Sequence, residues 1–166
     1  HRHFRRQRQM CIRDRCSMHQ HSQKLVFGSG RNDADLMLIG DVPSIQDNDS
    51  GEPFSGAVGE LLTKMLLAID INRSDVYLTN ILKCRPQGGA LSEGDVTTCL
   101  SFVKKQIQLV QPKMILVFGQ PAAQALLQNN NDMTLLRGQT FTLNETMAMV
   151  THHPAQLMQN QALKRD

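Results

Sequence analysis

The chain has no tryptophan and a single tyrosine, Tyr77. Proteins that hold single-stranded nucleic acid without sequence preference stack bases on several aromatic rings. That class is therefore not expected, and a phenylalanine inside a polar stretch, such as Phe54, becomes conspicuous. Long apolar runs are also missing. Nothing approaches the roughly 18 consecutive apolar residues of a membrane span, and no signal peptide precedes Cys16, so no membrane partner and a cytoplasmic location are expected. Cysteine is scarce, with only Cys11, Cys16, Cys84 and Cys99 present. There is no internal repeat, and Asn129 to Asn131 reads as a polar loop.

The basic character of the chain is confined to its first residues. Six of its 18 Lys and Arg, and one of its 15 Asp and Glu, lie in residues 1–15. Residues 16–166 thus carry 12 basic against 14 acidic side chains, a formal charge of −2. The run from Arg5 to Arg15 resembles the in-frame translation of a sequencing adapter, and such segments are excluded from fold reasoning. Residues 1–15 are read as a non-native leader, and residues 16–166 as one domain expected to be truncated at both ends. About 150 residues suffice to bury one core. Cys11 then falls away. The remaining Cys16, Cys84 and Cys99 are an odd set for a disulfide framework, and cytosolic cysteines more often serve a metal or catalysis.

Four short apolar stretches, Ala34 to Ile39, Val76 to Leu78, Met114 to Phe118 and Met147 to Val150, each end on a polar or glycine turn. The first three are followed by helix-period sequence, so all four are predicted to be parallel strands. Val58, Leu61, Leu62, Met65, Leu66 and Ile69 predict one helix; Val96, Cys99, Leu100, Val103, Ile107 and Val110 predict a second. Asp41 to Ser55 is predicted to be a polar loop, too long for a mere connector. Arg137 to Glu145 reads as a hairpin feeding the last strand. In open α/β sheets ligands bind beyond the carboxyl ends of the strands, which brings Asp41, Asn80 and His153 together.

In order along the chain stand Val26-Phe27-Gly28-Ser29-Gly30, Gly40-Asp41-Val42-Pro43, Gly51-Glu52-Pro53-Phe54-Ser55-Gly56, Thr79-Asn80, Lys83-Cys84-Arg85-Pro86 and His153-Pro154-Ala155. Each is a weak motif, but their order and spacing together are specific. From Cys16 to about Arg165 the chain resembles the family 4, iron-sulfur-containing uracil-DNA glycosylases. The resemblance implies an α/β fold, a three-layer α/β/α sandwich around a central four-stranded parallel sheet. It also implies excision of uracil from DNA by N-glycosidic hydrolysis during base-excision repair, in a monomer.

The family's site residues carry over by motif. Excision needs a flipped base that is stacked on its face and read along its Watson-Crick edge. Phe54 matches the stacking aromatic, and Asn80 offers both the amide donor and the acceptor that uracil O4 and N3 require. His153 matches the histidine that donates to uracil O2 as charge develops there. Asp41 stands where the family usually has Glu, to balance the sugar cation and orient water. Val42 occupies the position of an Asp in the best-known uracil glycosylases and cannot act as a base; Pro43 completes that pocket segment. Asp47 takes the place of the acidic residue that crowds the C5 methyl of thymine. Leu157 and Met158 lie in the loop that enters the minor groove. Taken singly, Phe54 also reads as a core residue, Asn80 as a turn residue and His153 as an ordinary loop histidine.

Family members bind a [4Fe-4S] cluster through four cysteines, and thiolates suit such clusters. Cys16, Cys84 and Cys99 match three of the ligands, and the fourth position falls on Arg13, inside the leader. The plainer reading of Cys99 is a buried thiol. The chain departs from the family at Ser44, at Gln87 to Ala90, and at Gln156-Leu157-Met158-Gln159, where an arginine that would contact phosphate is lost. These altered loops, with Asp41 and Asp47 each a methylene shorter than the family's acidic residue, motivate an alternative, a divergent DNA-binding or iron-sulfur module that no longer cuts. A nucleotide-binding α/β protein is a third reading, although Gly28-Ser29-Gly30 precedes the first strand instead of following it. Lys24 and Lys83, the lysines nearest the motifs, do not occupy the place of a nucleophile.

Overall fold

The computed structural model describes residues 24–86 and 93–164. Its strands are β1 (Ser29–Gly30), β2 (Leu36–Gly40), β3 (Tyr77–Asn80), β4 (Met114–Phe118), β5 (Thr140–Leu143) and β6 (Thr146–Thr151). Its α-helices are α1 (Ile45–Ser50), α2 (Gly56–Leu67), α3 (Glu93–Val110), α4 (Gln120–Leu127), α5 (Met133–Leu136) and α6 (Pro154–Gln159). The sheet order is β1-β3-β2-β4-β6-β5.

The four predicted strands are present, and they pair in parallel as the inner part of the sheet. Antiparallel strands extend it at both edges. The hairpin half, β5, was legible from its sequence; its turn places Asn144 and Glu145 at φ 47° and 67°, the geometry of a two-residue hairpin loop. β1 was not. Gly28-Ser29-Gly30 looks like a turn, but Ser29 and Gly30 lie opposite Leu78 and Tyr77. A Cβ on Gly30 would collide with the Val76 carbonyl, so glycine serves here for close backbone approach.

Both sheet faces are covered, which is why the parallel strands read as continuous apolar runs. Met37, Ile39, Ile115 and Val117 pack with Val103 and Ile107 of α3 and Leu126 of α4. Leu38, Leu78 and Phe118 point the other way, onto Leu62 and Leu66 of α2. These are the three layers of the expected sandwich. No helix of the described residues is long and apolar enough to cross a membrane.

Two expectations need correction. The segment from Asp41 to Ser55 is not all loop: Ser44 caps α1, accepting from the Asp47 N–H, while the Asp47 carboxylate accepts from the Ser44 N–H. This is a capping box with Asp in the third position, and six residues are too few to show a helical period. Ile69 does not continue the apolar face of α2. The helix ends at Leu67, Asp70 turns back at φ 58°, and Ile69 is left 62 % exposed.

Candidate active site

Gly40 and Asn80 are register partners at the carboxyl ends of β2 and β3. The Gly119 N–H donates to the Thr151 carbonyl at 2.9 Å, tying the ends of β4 and β6. Asp41, Asn80 and His153 therefore line one cavity of about 300 Å³, with Asp47, Phe54 and Val42 in its wall.

Three of the cavity's side chains close in on Gly40, which has no side chain. A Cβ there would lie 2.4 Å from Asn80 Oδ1, 2.8 Å from Phe54 Cζ and 3.4 Å from His153 Nε2. One missing methyl group thus marks the point where three candidate residues converge. Asn80 is 2 % exposed, and its Nδ2 has no hydrogen-bond partner among the described residues. Leaving such a donor unsatisfied costs roughly 1–3 kcal/mol, so the carboxamide is set up for a ligand acceptor.

His153 is the N-cap of α6, and its Nδ1 accepts from the Ala155 N–H at 3.1 Å. An accepting Nδ1 fixes the neutral tautomer with its proton on Nε2. Burial holds His153 below the ordinary imidazole value, against the opposing pull of Asp41 and then Asp47. The Nε2–H donor lies 3.8 Å from Asp41 Oδ1, and that oxygen already accepts from the Val42 N–H at 2.7 Å.

Phe54 is buried, and its ring lies at 21° to the His153 ring with centroids 5.7 Å apart. Its backbone sits in the left-handed region, at φ 53°, a costly conformation for a bulky residue. Arg73 holds it there, donating to the carbonyls of Phe54 at 2.9 Å, Pro53 at 3.0 Å and Gly59 at 3.4 Å. Asp47 braces the same loop from its other side, since its Oδ1 accepts from the Ser55 N–H at 2.7 Å. Asp47 thus lines the cavity with both carboxylate oxygens engaged by backbone.

Val42 packs partly against the cysteine-bearing cluster, and the buried Pro43 accepts through its carbonyl from Arg85 Nη1 at 3.0 Å. Leu157 is buried on α6, whereas its neighbour Met158 is 44 % exposed. The sequence marked Gly40 and Arg85 as members of motifs without showing what either does, and it gave no sign of Arg73. Their tasks are long-range and to backbone atoms, which leave no local pattern.

Cys84 and Cys99 are buried, form no disulfide and share one small apolar cluster with Leu82. Cys16 and Arg13 lie outside the described residues, as do Gln87 to Ala90. Among the described residues no three His, Cys, Asp or Glu are grouped to hold a metal. Two soft donors gathered from separate segments nevertheless fit part of a thiolate ligand set. Lys83, fully buried beside them, is pushed down to about 7 by burial, with an opposing pull from Cys99.

The fold and this cavity define a class. Residues 27–166 match the family model of the uracil DNA glycosylase superfamily, and the chain belongs to that superfamily. Within it, the chain is 30% identical to the Type-4 uracil-DNA glycosylase of Sulfurisphaera tokodaii over 161 residues, spanning 91% of this chain and 73% of that one. It is 29% identical to the Type-4 enzyme of Pyrobaculum aerophilum, over 91% of this chain and 82% of the relative. A Type-5 uracil-DNA glycosylase of the same organism is more distant, at 24% over 79% and 66%.

Proposed function

We propose that this chain removes uracil from DNA by hydrolysing the N-glycosidic bond, as the first step of base-excision repair. The observation that carries this reading is the buried, unsatisfied Asn80 Nδ2, on a carboxamide that lines one cavity with Phe54 and His153. An uncharged ring with adjacent acceptor and N–H donor would satisfy the carboxamide: Nδ2 donates to O4 and Oδ1 accepts from N3–H. Phe54 supplies the stacking face.

Bond cleavage leaves negative charge on the departing base. The neutral His153 directs Nε2–H at O2, where a preorganised donor is worth most. The Asp41 carboxylate faces the sugar side, opposing the cationic charge that develops there and orienting water. Asp47 narrows the C5 side while bracing the loop, with Val42 and Pro43 forming the adjoining wall. Of the segment expected to enter the minor groove, Met158 is the side chain free to act as the apolar wedge; Leu157 supports it from within.

Cys84 and Cys99, with Cys16, would hold a [4Fe-4S] cluster. When bound, it would cross-link the segment after β3 to α3, behind the Val42 wall. The reading includes action as a cytoplasmic monomer on uracil-containing DNA. The non-cutting alternative has one supporting observation, the engagement of Asp41 Oδ1 by its own loop.

Uracil release from a single-uracil oligonucleotide, with a thymine oligonucleotide as control, tests the proposal. Release from the uracil strand alone supports it. DNA binding without an abasic product supports the alternative.

A further inference from the structure

Lys83 is entirely buried, and an ammonium so placed is tolerated only with its donors satisfied. All three have acceptors: Thr79 Oγ1 at 2.5 Å, the Asn80 carbonyl at 2.7 Å and Gln106 Oε1 at 2.7 Å. The Phe27 ring adds a cation-π contact, with its centroid 5.6 Å from Nζ.

Thr79 gives its hydroxyl proton to the Phe27 carbonyl at 2.9 Å. Gln106 Nε2 donates to that same carbonyl at 2.9 Å and to the Tyr77 hydroxyl at 3.0 Å. Thr79 Oγ1 also donates to Gln106 Oε1 at 3.3 Å, and both oxygens accept from the ammonium. Among the described residues no carboxylate takes part in this network. It joins β3, α3 and the segment before β1 at a single nitrogen.

The network terminates at Asn80. Lys83 holds its carbonyl, while the next two N–H groups, of Ile81 and Leu82, donate to the Gly40 and Asp41 carbonyls at 2.8 and 3.0 Å. The backbone that aims the carboxamide is thereby pinned from two sides. A carboxamide that must present its donor and acceptor to the two atoms of one base edge tolerates little rotation.

We propose that Lys83 is a positioning residue for base recognition, acting through the Asn80 carbonyl without touching the base. The inference rests on the reading of Asn80 as the group that pairs with uracil.

A double-mutant cycle tests it. Lys83→Met, which keeps the length of the side chain and removes its donors, is expected to lower single-turnover uracil excision 10- to 100-fold. In an Asn80→Ala background the same change should cost less than threefold. Lys83→Met should also weaken inhibition by free uracil about tenfold and leave affinity for abasic-site DNA unchanged. Multiplicative losses, or equal loss of uracil and abasic-DNA binding, would show a general structural role and overturn the proposal. If Lys83→Met does not fold, Thr79→Val removes one acceptor of the ammonium; a three- to tenfold loss that vanishes with Asn80→Ala supports the idea, and an additive loss overturns it. Wild-type protein run beside the variants separates the two readings, because absence of uracil release there sinks the glycosylase assignment instead.

Discussion

His153 Nε2 lies 3.8 Å from Asp41 Oδ1, close enough for attraction and too far for a hydrogen bond. The distance has a chemical consequence. The imidazole is held neutral by burial and by the Ala155 N–H on Nδ1, and its remaining proton is not spent on Asp41. It is left for a substrate oxygen.

Replacing His153 by Ala should therefore lower excision by about 10²–10³-fold, the usual loss for one such donor. Removing the cap of α6 should cost about 1 kcal/mol of stability, so the fold survives. Single-turnover rates beside urea unfolding curves check both parts; near-normal excision would refute the role.

Gly40→Ala should abolish uracil binding with the sheet intact. The new methyl would stand 2.4 Å from Asn80 Oδ1 and 2.8 Å from the Phe54 ring, so the carboxamide or the ring must move. Inhibition by free uracil should weaken at least tenfold, while the circular dichroism spectrum is unchanged. Normal inhibition would mean that the base sits elsewhere.

Arg73→Met should loosen the Phe54 loop. Hydrogen bonds from a charged donor are worth about 1.5–3 kcal/mol each before solvent exposure reduces them, and three carbonyls depend on this guanidinium. A net loss of about 2 kcal/mol is expected, with KM rising more than kcat falls. Arg73→Lys, lacking the planar fork, should recover only part of it.

Stability should decline as the medium is acidified through the histidine range. The folded-state pKa of His153 is below its unfolded value, so between the two the unfolded chain binds more protons and stability rises with pH. Stabilisation is complete above about pH 6.5, falls as pH drops below that value, and levels off under the folded pKa. Asp41 and Asp47 oppose the shift. Unfolding midpoints between pH 5 and 6.5 should show this slope in wild type and lose it in His153→Ala.

Cys84→Ser and Cys99→Ser should each reduce iron bound per protein and the visible absorbance of the purified protein. Both thiols sit in one apolar cluster, so under the proposed ligation either loss breaks the same ligand set. Unchanged iron content in both variants would show that these cysteines only pack.

The four parallel strands and two long helices were legible because buried parallel strands and amphipathic helices impose patterns on neighbouring residues. β1 and α1 were not, since two or six residues are too short to carry a period. The same division runs through the site. Sequence alone determined which chemical groups stand at the strand ends, the amide of Asn80, the imidazole of His153 and the carboxylate of Asp41, and that the ring of Phe54 lies in the loop before α2. Only the tertiary structure decided that they converge on the bare Cα of Gly40, that His153 carries its proton on Nε2, and that Arg73 and Lys83 hold the chain behind them. Those are relations between atoms far apart in sequence, set by parallel register and by backbone carbonyls, and no local pattern of side chains encodes either.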